Sequence, residues 1–174
     1  TMNRLPAAQR RAQILAAANR VFAPNGYHGS TTRAIATEAG VAEALIYRHF
    51  ASKEALFVAA VETTSARLVD GASALVGRYP DAPAEALRAL VGYIRTMLER
   101  NPTLAPMVFV VSAELGTPAI RDAYLPFQDR ALGVIEAAVD RWKAAGRLPR
   151  RLPGRAVAWL VLGTFQAIAL MQLT

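Results

Sequence analysis

The sequence predicts an all-α protein. Three observations carry that expectation: apolar residues recur at three- and four-residue spacings along most of the chain, no run of alternating β-branched residues marks a strand, and short Gly- and Pro-bearing breaks separate the periodic segments. The chain has 174 residues, 53% of them hydrophobic, which suits one domain or a small domain joined to a medium one.

The elements follow in order. Ile14, Leu15, Ala18 and Phe22 form the stripe of a first helix, with Arg10, Arg11, Gln13 and Arg20 mostly off it, and Pro24-Asn25-Gly26 stops it. Thr31 can cap a short second helix over 32–39, and Gly40 supplies the left-handed position that ends it. A third helix starts within two residues. On it Ala42, Ile46 and Phe50 repeat every four residues and are expected to face the core. Ser52 can cap a fourth helix, with Glu54 in its first turn, running to about Val76. GRYPDAP breaks the chain, after which Leu87, Leu90, Val91, Ile94 and Leu98 form an apolar stripe ending at Asn101-Pro102. Breaks at Gly116-Thr117-Pro118 and between Gly146 and Gly154 then separate a short helix near 104–115, a longer one interrupted or kinked at Pro126, and a last one from about Arg155 to the end.

Charge narrows the partners. The net charge is +7 and the pI about 10.5, and residues 1–60 hold seven basic side chains against three acidic ones. A polyanion such as nucleic acid, or an anionic membrane surface, fits that excess. The absence of cysteine removes disulfides, thiolate metal sites and a Cys nucleophile, and no secretory signal is visible, so a cytoplasmic protein is expected. The one long apolar run, from Ala156, is shorter than the roughly 20 residues needed to span a bilayer and contains Thr164 and Gln166, so no membrane span is expected.

Residues 31–50 meet the geometric needs of a helix-turn-helix. Ile35 and Ala36 face inward, Gly40 makes the turn, and Val41 and Ile46 anchor the next helix. Glu43, Ala44, Tyr47 and Arg48 are left outward, flanked by Leu45 and His49, on a helix of the right width for the major groove. Tyr47 offers a hydroxyl to a phosphate oxygen, and Lys53 lies in the first turn of the next helix, whose free N–H groups also attract an anion.

The stretch TTRAIATEAGVAEALIYRHFASKEALF resembles the N-terminal signature of the tetracycline-repressor-type (TetR) family of bacterial transcription regulators. The likeness covers about residues 9–57. It implies that Thr32 and Arg33 contact backbone and nearby bases, that Glu43, Ala44 and Leu45 face base edges, and that Tyr47, His49 and Lys53 hold phosphates. Ala44 and Leu45 depart from the family's Gly or Pro followed by Thr or Ser. Leu45 lacks the hydroxyl that makes a phosphate bond there, though it can meet a thymine methyl.

Residues 1–52 are expected to form the helix-turn-helix DNA-binding domain, and 53–174 a helical effector-binding and dimerisation domain. The last helix is apolar nearly all round and needs cover on more than one face. Leu160, Gly163, Ala167 and Ile168 are expected at a twofold homodimer interface. In the family the last two helices of each subunit build that interface. The chain ends in apolar helix, so one such helix is expected to be missing, and Thr1 ahead of Met2 reads as a residue left from a tag.

Helices five to eight are expected to enclose an effector site, with Tyr93, Met97, Met107, Phe109, Phe127, Trp159 and Gln166 as candidate lining residues. No catalysis is expected. His28 and His49 are the only histidines, there is no nucleophile elbow or phosphate-binding Gly loop, and Glu114, Asp122, Asp129, Glu136 and Asp140 alternate with arginines as surface ion pairs do. No cofactor and no metal are implied. The expectation is a ligand-responsive regulator, a repressor of a palindromic operator released by a small apolar effector; the alternative is an apolar-ligand carrier or sensor with an idle DNA module.

Overall fold

The structure, a computed structural model, describes residues 5–173. The readings of Thr1 and of the final residue lie outside them. Among the described residues there are eight helices: α1 Ala7–Asn25, α2 Thr32–Ala39, α3 Glu43–His49, α4 Lys53–Gly77, α5 Pro83–Arg100, α6 Leu104–Ala113, α7 Pro118–Ala144 and α8 Gly154–Met171. The all-α expectation holds.

The punctuation works through backbone groups. Gly26 at φ +70° donates its N–H to the Phe22 carbonyl and ends α1 one residue after Pro24-Asn25. Thr31 accepts from the Ala34 amide and Ser52 from the Ala55 amide, so the expected caps of α2 and α4 are both made. One boundary and one expected interruption differ from the sequence reading. α6 stops at Ala113. α7 is unbroken through Pro126, whose missing N–H costs one bond of the ladder but does not end the helix.

Two apolar cores result. The first joins Ile14, Ala18 and Phe22 of α1 to Ile35 of α2, Ile46 of α3 and Leu56, Phe57 and Ala60 of α4, and also takes in Met107, Val111 and Ile120. This core draws on residues from both sides of position 52, from α1 through α4 to α6 and α7. Phe22 and Phe57 meet edge to face at 4.9 Å, with Tyr27 against Phe57 at 5.1 Å. The second core joins Val76, Leu90, Ile94, Leu98, Leu132, Ile135, Val139 and Trp142 to Ala158, Phe165 and Ala169 of α8. The Trp142 indole donates to the Tyr79 carbonyl at 2.9 Å and fixes the end of α7 to the α4–α5 turn. With 25 residues, α4 is about 37 Å long and serves both cores.

Three expectations are corrected. Ala42 is exposed at the N-cap of α3, where it stands outside the helix, so only Ile46 and Phe50 of its triplet reach the core. On α5 the buried set is Ala86, Leu90, Ile94 and Leu98, a narrow four-residue repeat, and it leaves Leu87 and Val91 exposed beside it. The last helix was expected to be too short to span a bilayer; α8 is the third difference. It is long and apolar enough to cross a membrane by length and composition, with mean hydropathy 1.4, yet only 17% of it is buried.

Candidate functional site

The helix-turn-helix is set by small residues and backbone bonds. Gly40 adopts φ +66° and ψ 37°, a left-handed conformation that a Cβ would strain, and the Val41 N–H returns to the Ala36 carbonyl at 3.0 Å. Gln13 on α1 donates to the Ala39 carbonyl at 2.8 Å, and Arg20 pairs with Glu38. The C-terminal end of α2 is thus held to α1.

At the mouth of the motif the hydroxyl of Thr32 lies 2.6 Å from a Glu43 carboxylate oxygen and 3.0 Å from the Tyr47 hydroxyl. Thr32 has one proton and the carboxylate can only accept, so Thr32 donates to Glu43 and Tyr47 donates to Thr32. Thr32 is buried. Its side chain ties the start of α2 to both turns of α3, a positioning contact, whereas the family resemblance implies a nucleic-acid contact. The network fixes the angle of α3. Tyr47 is 52% exposed, yet must leave Thr32 to offer its proton to a phosphate.

Lys53 also differs from expectation. Its ammonium donates to the carbonyls of Tyr27 and Ser30, each at 3.0 Å, and stands 4.4 Å from the centre of the Tyr27 ring. Two of its three protons meet carbonyls and the group faces a ring, so the side chain straps the α1–α2 loop onto α4. Arg33, Ala44 and Arg48 are exposed. Leu45 and His49 are half-buried and, with Arg48 and Arg10, border a recess at the start of α1. Arg10 and Arg48 are thereby added as cations on the reading side. Arg48 was among the outward residues of the sequence pattern, whereas nothing in the sequence alone placed Arg10 next to α3.

Two small apolar cavities lie in the second half. One, about 70 Å³, is lined by Leu68, Val69 and Ala72 of α4, Leu90 and Tyr93 of α5, Phe127, Val134 and Ile135 of α7, and Val161 of α8. The other, about 50 Å³, is bounded by Thr64 and Ser65 of α4, Met107 and Val108 of α6, Tyr124 of α7 and Gln166 of α8. Leu68, Phe127, Leu162 and Phe165 border both and form the partition. Among the described residues no charged side chain lines either cavity. Tyr93 approaches α4 over Gly71, where an added Cβ would strike the phenol, and its hydroxyl lies 3.3 Å from the Leu68 carbonyl. Burial, and then Asp70, raise the Tyr93 pKa above the ordinary phenol value, so it remains a donor at neutral pH.

Of the expected lining residues, Tyr93, Met107, Phe127 and Gln166 reach these cavities and three do not. Met97 faces a separate cleft beside α1. Phe109 packs against the second core. Trp159 is 48% exposed on the outer face of α8. The wall supplied by α4 was missed, because its apolar residues read equally as a helix joining two domains. On α8, Leu160 is 72% exposed and Gly163 and Ala167 are exposed with it, but Ile168 turns inward onto the second core. His28, in the α1–α2 loop, lies 3.2 Å from Glu114 beyond the end of α6.

Comparison with known proteins agrees with this arrangement. Residues 14–60 match the family model described as bacterial regulatory proteins, tetR family. The chain is 33% identical over 156 residues to the HTH-type transcriptional activator FasR of Mycolicibacterium smegmatis, covering 83% of this chain and 69% of that protein. It is 31% identical over 144 residues to the HTH-type transcriptional repressor AcnR of Corynebacterium diphtheriae, covering 81% and 67%. The fold is also that of the transcriptional regulator FadR from Bacillus subtilis in complex with stearoyl-CoA, with a TM-score of 0.77, 23% identity, and coverage of 91% and 84%. A helix-turn-helix braced by α1 and α4, continuous with a helical body that holds an apolar cavity, and a one-third identity that runs through both parts, make this chain a member of the TetR family of helix-turn-helix transcription regulators.

Proposed function

We propose that the chain is a cytoplasmic, dimeric regulator that binds a palindromic operator through α2 and α3 and is released from it by a small, mostly apolar effector. It carries out no catalysis in this reading, and repression is its direction of control. The observation that carries the reading is the pair of apolar cavities without a charged wall, set against the helix that also holds the Lys53 strap. Each is well below the roughly 300–1,000 Å³ of ordinary ligand sites, so an occupant must turn Leu68, Phe127, Leu162 and Phe165 aside. That displacement shifts α4 against α7 and α8. α4 begins at Lys53, so movement of its axis reaches the loop that leads into α2.

For the nucleic-acid face, Arg33, Ala44, Arg48 and the Tyr47 ring are the contacts the exposed surface favours, with Leu45 and His49 at its edge. For the dimer, the exposed apolar side chains of α8 (Trp159, Leu160, Leu170 and Met171) are the surface a second copy covers. A Leu160→Lys variant is then a monomer by light scattering, and a wild type that is monomeric at micromolar concentration overturns the dimer.

Effector control is tested with operator DNA selected from a random library and straight-chain fatty alcohols and acids of graded length. One of these probes weakens operator binding by a factor within the usual allosteric range of about 5 to 150, and operator weakens that probe by the same factor. Equal probe affinities with and without operator contradict the proposal.

A further inference from the structure

A larger recess than either apolar cavity lies apart from them. It is a cleft of about 530 Å³ between α1 on one side and α4 with the α5–α6 turn on the other, and it has the volume of an ordinary ligand site. Four guanidinium-bearing residues line it: Arg11 and Arg20 from α1, Arg67 from α4 and Arg100 at the end of α5. Among the described residues no carboxylate does. Arg20 is neutralised by Glu38. Arg11 lies over the Phe50 ring at 5.0 Å, a contact that adds no negative charge. Among the described residues Arg67 and Arg100 have no ion pair, although on α5 itself Arg88 and Arg95 each find a glutamate one turn away.

Gathering like charges in one recess raises its potential and favours a counter-ion there. Guanidinium groups suit phosphate and carboxylate in particular, through paired N–H donors. The wall between α1 and α4 is also incompletely bonded. Asn19 donates to the Thr64 hydroxyl at 3.2 Å, and its buried amide oxygen has no partner.

We propose that this cleft binds a small polyanion, carrying two or more phosphate or carboxylate groups, that bridges α1 to α4 and the α5–α6 turn. Because α1 packs on α2, an anion held across the cleft fixes the reading helices against the body. This is a second input, separate from the apolar cavities and independent of what occupies them.

The test uses the whole protein, with pyrophosphate and citrate as probes, followed by calorimetry at constant ionic strength. One probe molecule binds per chain, and whichever probe binds more tightly assigns the preferred head group. The Arg67→Gln/Arg100→Gln variant, altered only at exposed positions, binds at least tenfold more weakly. An Arg33→Gln/Arg48→Gln variant on the nucleic-acid face binds as the wild type does. Absence of saturable binding, equal affinity in the cleft variant, or loss of binding in the nucleic-acid-face variant overturns the site.

Discussion

Lys53 separates a structural role from a nucleic-acid contact more sharply than any other residue. Lys53→Met keeps the length of the side chain and removes its charge, which deletes two hydrogen bonds to carbonyls and the contact with the Tyr27 ring. Hydrogen bonds from charged groups contribute about 1.5–3 kcal/mol each, and an exposed cation–π contact about 0.5–1. Lys53 is only half-buried, so water recovers part of the loss. A cost of about 2–4 kcal/mol remains. In a chain of this size that lowers the midpoint of thermal unfolding by about 4–16 °C. The salt dependence of operator binding should keep its slope, because a phosphate contact was never made. Arg48→Gln should do the reverse, leaving stability unchanged and lowering the log–log slope by about 0.9 for each phosphate lost. Calorimetric melting and a salt titration of both variants provide the readout. A Lys53→Met protein with wild-type stability and a reduced slope would refute the strap and restore the phosphate contact.

Thr32→Val removes the hydroxyl that joins Glu43 to Tyr47 while keeping the shape, and should weaken operator binding by about 1–2 kcal/mol; unchanged affinity in a gel-shift titration would mean that the network does not set the angle of α3. Gly71→Ala forces its Cβ into the Tyr93 phenol and should cost about 1–3 kcal/mol in denaturant unfolding, with recovery when Tyr93 is also replaced by Leu; a lack of recovery would show that the collision lies elsewhere. Tyr27, Tyr93 and Tyr124 all have pKa values raised first by burial, so their neutral forms are favoured by folding. The unfolded chain therefore gives up these protons first, and stability is full below pH 10 and lost as pH rises from about 10 through the folded values. Replacing the three with Phe should flatten that decline, and an equally steep loss would assign it to other groups.

The helix order was legible because each boundary has a local chemical cause. Thr31, Gly40, Ser52 and Gly26 act within three or four residues of themselves, and the structure uses each as the pattern requires. Long-range partners were not legible. Nothing at position 53 or 32 announces that the side chain will turn toward the Tyr27 carbonyl or toward Glu43, since those contacts depend on how helices cross. The cavity lining was half legible for a similar reason. Periodicity says that Trp159 and Phe165 occupy different faces of α8, but only the packing of α7 says which face is inside. Leu87 and Val91 failed for want of the same information.

The most direct test of the account is selection of binding sites from random double-stranded DNA by the purified chain, with each recovered site measured across a range of salt. The account predicts one inverted-repeat motif, with half-sites spaced by whole helical turns of about 34–36 Å, an affinity that falls steeply with salt, and a changed motif when residues on the exposed face of α3 are replaced. Recovery of no motif, or of the same motif after replacement of Ala44, Tyr47 and Arg48 together, would contradict it.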